Sequence, residues 1–423
     1  MRCYQIEYLL WRRSTVSDPD RGADDQAFPA LIALLAESYS MDDRKYDVLT
    51  ESEIDDGQAT AAYFLRTETI LDHIDENPTV TAELSAPEGW HLLAGLKDAA
   101  RLLEGLPVNV YAPPEGTPIS GGPILRIEGP YRMFARYESS LLGFLAHASG
   151  IASAAWRVRA AARDRTVLSF GTRRQHPALG AMIERSALIG GADGIGNVAG
   201  GEVIGVEAGG TMPHALVVAL GSPESAWTAY DEALEESVPR VLLCDTFGDE
   251  ADEVARAADC LEDRLEGVRL DTTSSRRGDM RAIIEDVRWE LQQRETDDID
   301  ILVSGGIGVR DVHRLRDVAD GFGVGGAIAD ADPIDFSLNL VAVEGEPRAK
   351  RGVRSGAKTV YRDGYDDQVV AVGETASGEK LLSPLIHDGE KVRTFDITAA
   401  ADRAREAIPT LRNRGVFDTG GDK

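Results

Sequence analysis

From about residue 165 to 340, short apolar runs alternate with amphipathic segments. The runs are TVLSF, EVIGVE, RVLLCD, GVRLD, DIDILVSGG and DGFGVGGAI. Between them lie PESAWTAYDEALEE, DEADEVARAADCLEDRLE and GDMRAIIEDVRWELQQRE, whose apolar residues recur at helical spacing. Runs with little polar alternation suit strands buried on both faces. Alternated with helices, they predict a parallel sheet, here an irregular TIM-like α/β barrel.

The flanks read differently. ESEIDDGQATAAYFLRTETILDHI predicts a helix, TVTAELSA a strand, and EGWHLLAGLKDAARLLEGL an amphipathic helix ending at Gly105. VNVYAPPEGTPISGGPILRIEGPY predicts strands divided by Pro/Gly turns, and YESSLLGFLAHASGIASAAWRVRAAARDR helices leading into the barrel. The tail returns to strands in KTVYRD, QVVAVGET and EKLLSPLIHDGE, then a helix. The expected organisation is an extension or misread start over 1–40, with Met41 a second possible start, and an α+β sandwich domain over 41–150. The barrel follows over 151–340, and 341–423 returns to the sandwich. The fold class is therefore α/β, a barrel flanked by a sandwich built from both chain ends.

The 423 residues suggest two or three domains, and 43% hydrophobic residues supply a large core. A net charge of −27 argues against binding a nucleic-acid backbone or an anionic membrane. No run of about 18 apolar residues predicts a membrane span. Three cysteines, Cys3, Cys244 and Cys260, make neither a disulfide framework nor a cysteine zinc site, and a cytoplasmic setting is expected. The basic side chains are 7 Lys against 38 Arg, facing 72 acids. Such a surface repels itself unless salt screens it, so a salt-loaded cytoplasm is expected. Structure should be lost on transfer to low salt; a melting temperature that does not change between molar and millimolar salt refutes this.

In such a barrel the chemistry gathers at the C-terminal ends of the strands. The segments following the runs are FGTRRQHP, AGGTMPHAL, CDTFGDE, RLDTTSSRRGD, SGGIG and GFGVGG. They bring Arg173, Arg174, His176, Thr211, His214, Asp245, Arg269 and Asp271 to one face, with glycine turns at 304–311 and 321–326. Glycine lets backbone N–H groups approach a phosphate, and a following helix N-terminus adds partial positive charge. Either turn alone also suits a tight connection. Arg173 can bind phosphate or carboxylate through two parallel hydrogen bonds, or form a surface ion pair. Asp245 and Asp271 can hold ribose hydroxyls or Mg2+ beside substrate phosphates; Asp245 equally suits a helix cap. His214 can be a nucleophile, a hydrogen-bond donor or a loop histidine.

The ordered set YFLRTETIL, PPEGTPISGGPILRIEGPY, YESSLLGFLAHASGIAS, FGTRRQHPA, GGADGIGN, GTMPHAL, GVRLD, SGGI and DGFGVGG resembles the nicotinate phosphoribosyltransferase family, of the type II phosphoribosyltransferase fold. GTMPHAL is the phrase most similar to its compact archaeal branch. The resemblance implies transfer of 5-phosphoribose from phosphoribosyl pyrophosphate to nicotinate, giving nicotinate mononucleotide and pyrophosphate for NAD biosynthesis. Mg2+ would accompany the pyrophosphate, and ATP would be a co-substrate that phosphorylates His214. Tyr63 would stack on the pyridine ring, lent by the partner subunit of a homodimer with shared sites. Thr211 and Arg269 would contact nicotinate and Arg173 a phosphate. Gly305, Gly306, Gly325 and Gly326 would form the 5-phosphate turns, and Ser304 and Gly323, within the same two glycine turns, are expected to bind substrate.

Archaeal relatives can carry a C-terminal cysteine cluster; KTVYRDGYDDQVVAVGETASGEKL has no cysteine, so no zinc is expected. The TTSSRRGD stretch after Asp271 is also longer than the family's usual turn. A sibling, quinolinate phosphoribosyltransferase, is the rival reading. Its substrate carries two carboxylates and needs a denser basic pocket including lysines, yet no lysine lies between Lys97 and Lys350. A non-catalytic phosphate-ligand binder would show a lost catalytic group, and none of the matched polar positions is lost.

Overall fold

A computed structural model describes residues 45–272, 275, 278–296 and 298–417. The expected 1–40 extension lies outside the described residues. The chain divides into two compact units: the residues up to Asp75 with Ala135–Ser140, and Glu76–Phe134 with Leu141 onward.

In the smaller unit the single helix expected near 51–74 is two, Glu51–Asp55 and Ala62–His73. Thr50 caps the first, its Oγ1 accepting from Glu53 N while the Glu53 carboxylate accepts from Thr50 N. Gly57, at φ +69°, ends it. Arg136 grips both oxygens of Glu68 at 3.0 Å.

The larger unit holds a six-stranded parallel sheet in the order 194–195, 166–169, 321–324, 300–303, 267–270, 241–243. Its strands are short apolar runs such as VLL and DILV, covered by amphipathic helices Pro223–Ala233, Glu250–Leu261 and Met280–Gln293. Val268, Ile301, Val303, Phe322 and Val324 are buried between sheet and helices. Each such apolar side chain contributes roughly 1.5–3 kcal/mol on burial. Trp227 Nε1 donates to Leu243 O at 3.1 Å, satisfying the indole inside that core.

One expected strand is not a strand. EVIGVE falls in helix Val198–Ile204 and the loop after it, and the sheet takes Gly194–Ile195 instead. Asn197 Oδ1 accepts from Gly200 N at 2.7 Å and starts that helix, and Gly205 at φ +75° ends it. The sheet is thus a half-barrel, open between 194–195 and 241–243 among the described residues.

A seven-stranded antiparallel sheet has the order 346–347, 337–343, 79–85, 123–130, 109–112, 383–387, 390–391. It interleaves strands from before and after the parallel sheet, as expected of a sandwich built from both ends. Two corrections apply. EGWHLLAGLKDAARLLEGL is helical only over Leu96–Leu103, because Gly95 sits at φ +86° immediately before it. The tail strands 358–363, 366–371 and 379–380 form a separate three-stranded sheet. It is tied down where Lys358 Nζ meets the buried Glu83 at 2.9 Å. Among the described residues no helix is long and apolar enough to cross a membrane.

Candidate active site

All six strands run the same way, so their C-terminal ends share one edge. There an open cleft of about 560 Å³ is lined by Phe170, Arg173, Thr211, His214, Arg269 and the turns around Gly305 and Gly325, among others. Of the residues expected at the site, Arg173, Thr211, His214, Arg269, Asp271, Ser304, Gly305, Gly306, Gly323, Gly325 and Gly326 line this cleft, as does Arg174. Asp245 lies beneath it, with its side chain 1% exposed. Tyr63 belongs to the smaller unit, where the residue is 60% exposed.

Arg269 projects from strand Gly267–Leu270 and is held on several sides. Nε donates to Ser304 Oγ at 2.9 Å and Nη1 to Thr211 Oγ1 at 2.8 Å. Nη2 pairs with Asp271 Oδ2 at 3.1 Å, and the guanidinium carbon stands 5.6 Å from the Phe170 ring centre. Ser304 Oγ in turn donates to Asp271 Oδ1 at 2.7 Å. The planar fork is therefore pre-set before any ligand arrives.

Behind it stand two carboxylates and the histidine. Asp245 Oδ2 accepts from Asp271 N at 2.5 Å and Thr272 Oγ1 at 3.0 Å. Asp245 Oδ1 is buried without a hydrogen-bond partner among the described residues. Burial pushes the Asp245 carboxyl above its ordinary range, His214 and the two hydrogen bonds pull it back, and the charge on Asp271 pushes it up again. His214 Nδ1 lies 3.1 Å from Thr246 Oγ1, which turns Nε2 toward Asp245 Oδ1 at 3.6 Å and Asp271 Oδ2 at 3.7 Å. Asp245 does not cap the next helix; Asp249 does, accepting from Ala251 N at 3.1 Å. His214 does not follow a strand; it opens helix His214–Leu220 after the EVIGVE helix and its loop.

Arg173 lies on the short helical turn Thr172–Arg174 and is exposed, with no ion pair among the described residues. Gly305 at φ +90° follows Ser304, and a Cβ there would lie 2.9 Å from Asp271 O. Gly323 is glycine for another reason: a Cβ would meet the Phe170 ring at 2.4 Å. Helices Val309–Leu315 and Gly326–Ala329 begin just after the two glycine turns, each with first-turn N–H groups lacking intrahelical acceptors.

Sequence reasoning missed Phe170, Thr246, Glu253 and Glu184. Phe170 stood within FGTRRQHP without a role. Glu253 is fully buried and accepts from Thr246, Phe247 and Gly248 N at 3.1, 2.8 and 2.6 Å, fixing the loop that carries Asp245 and Thr246. Only its place on the apolar face of an amphipathic helix could have marked it.

A half-barrel with an arginine fork, paired acids and two glycine turns at the C-terminal ends of its strands has the architecture of a type II phosphoribosyltransferase. Models described as the quinolinate phosphoribosyl transferase N-terminal and C-terminal domains match residues 61–149 and 151–339. The chain is 31% identical over 337 residues to a nicotinate phosphoribosyltransferase of Mycobacterium tuberculosis, covering 74% of this chain and 71% of that one. It superposes on a Pyrococcus furiosus protein described as nicotinate-nucleotide pyrophosphorylase with a TM-score of 0.82 and 46% identity, covering 89% of this chain and 100% of that one. The human nicotinic acid phosphoribosyltransferase shares the fold at a TM-score of 0.68 and 21% identity, over 82% and 93% of the two chains. The chain belongs to the nicotinate phosphoribosyltransferase family.

Proposed function

We propose that the chain is a nicotinate phosphoribosyltransferase, moving 5-phosphoribose from phosphoribosyl pyrophosphate to the ring nitrogen of nicotinate. The observation that carries this is the Arg269 fork, held by Thr211, Ser304 and Asp271 beside the Phe170 ring. A single pre-set guanidinium next to an aromatic face suits a flat ring bearing one carboxylate. Arg173 and the turns at Gly305–Gly306 and Gly325–Gly326 hold the phosphates of the donor. The pyridine nitrogen is unprotonated near neutral pH, so the transfer needs no general base. The chain's task is to hold that nitrogen in line and to disperse charge on the departing pyrophosphate.

The donor set suits Mg2+. Asp245 Oδ1 is buried and without a hydrogen-bond partner among the described residues, and Asp271 Oδ2 faces the same His214 nitrogen. Two carboxylates with substrate phosphate oxygens make the kind of partial shell this ion accepts. When bound, it would neutralise charge on the leaving pyrophosphate. ATP is a co-substrate in this reading, with His214 the phosphoryl acceptor, and a cytoplasmic homodimer shares sites through Tyr63.

The quinolinate reading draws on the names of the two matched domains. Against it, the cleft's basic side chains are Arg173, Arg174, Arg269 and His214, with no lysine among them, where a ligand with two carboxylates needs a denser basic pocket.

Purified protein supplied with phosphoribosyl pyrophosphate and Mg2+ should convert labelled nicotinate, but not labelled quinolinate, to the mononucleotide. ATP should accelerate the wild type, and His214→Ala should keep a slow, ATP-independent transfer. Product from quinolinate alone overturns the substrate, and equal wild-type rates with and without ATP overturn the coupling.

A further inference from the structure

Beneath the cleft floor lies an acid the proposed reaction does not use. Glu184, on helix Gly180–Ile189, is fully buried. Its Oε1 accepts from Gly196 N at 3.3 Å. Its Oε2 and the fully buried Ser169 hydroxyl have no hydrogen-bond partner among the described residues. Burial pushes this carboxyl up; the neighbouring Ser169 hydroxyl and the Gly196 and Asn197 N–H groups pull it partway down, although of these only Gly196 N stands in hydrogen-bond geometry to it. A buried carboxyl with an unmatched oxygen is costly, and apolar packing would serve stability at least as well. Its presence calls for a reason other than holding the fold together.

The reason lies in what it touches. Ser169 ends one strand and directly precedes Phe170; Gly196 directly follows Ile195 at the end of the neighbouring strand. A Cβ on Gly196 would lie 3.4 Å from one edge of the Phe170 ring, and a Cβ on Gly323 2.4 Å from the opposite edge. The ring therefore sits in a slot between two glycines, and Glu184 fixes one wall of that slot. From the slot the ring faces Arg269.

We infer that Glu184 is a positioning residue: through Gly196 it sets the slot that holds Phe170 beside Arg269, and so governs binding of the aromatic base rather than of the phosphates. It touches no substrate itself. This rests on the base pocket proposed above. The turn at Gly305–Gly306 follows a different strand, 300–303, and should not register its loss.

The test pairs Glu184→Leu, which removes every acceptor, with Glu184→Gln, which keeps one oxygen for Gly196 N. Glu184→Leu should melt no lower than wild type. Its amide exchange over 194–197 should quicken, its KM for nicotinate should rise about tenfold, the effect of one charge-assisted hydrogen bond, and its KM for phosphoribosyl pyrophosphate should stay put. Glu184→Gln should recover most of both changes. Unchanged exchange over 194–197, or equal rises in both KM values, would overturn the inference. Should Glu184→Leu fail to fold, Glu184→Met, which keeps the side-chain length but offers no oxygen to Gly196 N, is measured in its place against the same two criteria. The exchange readout does not depend on which base is accepted, so a wild type inert toward nicotinate sinks the proposed function while leaving this decided by exchange.

Discussion

Arg269→Ala should raise the nicotinate concentration needed for half-maximal rate by about 10- to 150-fold, because a charge-assisted contact to a carboxylate contributes roughly 1.5–3 kcal/mol. The upper end is expected here. The substitution removes the fork and also releases Thr211, Ser304 and Asp271 from the positions it fixes. Folding should survive, because Arg269 stands at the strand's open end with its guanidinium toward the cleft. The KM for phosphoribosyl pyrophosphate should move little. A variant with normal nicotinate dependence would remove Arg269 from the site. The same variant also tests the proposed sharing of sites between two subunits. Mixed with an inactive Tyr63→Ala protein under verified subunit exchange, it should regain part of the activity, since random heterodimers carry one doubly damaged site and one intact site. No recovery would refute sharing through Tyr63.

Most of the parallel sheet was legible because its strands are apolar on both faces, a pattern amphipathic helices do not share. EVIGVE shows where that signal runs out. Six mostly apolar residues suit a strand or one helical turn and a half, and the choice was made by Asn197 capping and Gly205. The residue types at the strand ends were equally legible, since the C-terminal edge of such a sheet collects them. Their partnerships were not. Nothing in the spacing of Thr211, Arg269, Asp271 and Ser304 says that one guanidinium binds all three of the others. Glu184 and Glu253 were invisible for a plainer reason: among 72 acids, a buried one looks like its solvated neighbours until the packing around it is known.

Asp245→Asn should separate stability from activity. The carboxyl's folded pKa lies above its unfolded value, chiefly through burial. Below the unfolded value both states are protonated and no cost arises. As pH rises past it, the unfolded chain ionises first, so the wild type loses stability until the pH passes the folded value, and carries that loss at neutrality. Asparagine never ionises. The variant should therefore melt above the wild type at neutral pH, with the gap closing on acidification. Its orientation is forced as well. The amide oxygen must face Asp271 N and Thr272 Oγ1, which donate to Asp245 Oδ2, leaving NH2 where Oδ1 now faces His214. A donor then stands where a buried acceptor now faces His214, at the position proposed for Mg2+. The transfer rate should fall about 10²- to 10³-fold, the scale of losing one pre-set electrostatic group. Melting curves at neutral and acidic pH, run beside the nicotinate assay, check both halves. A variant that melts lower than the wild type at neutral pH would show that the ionised carboxylate stabilises the fold. One that keeps the wild-type rate would show that the site works without that charge.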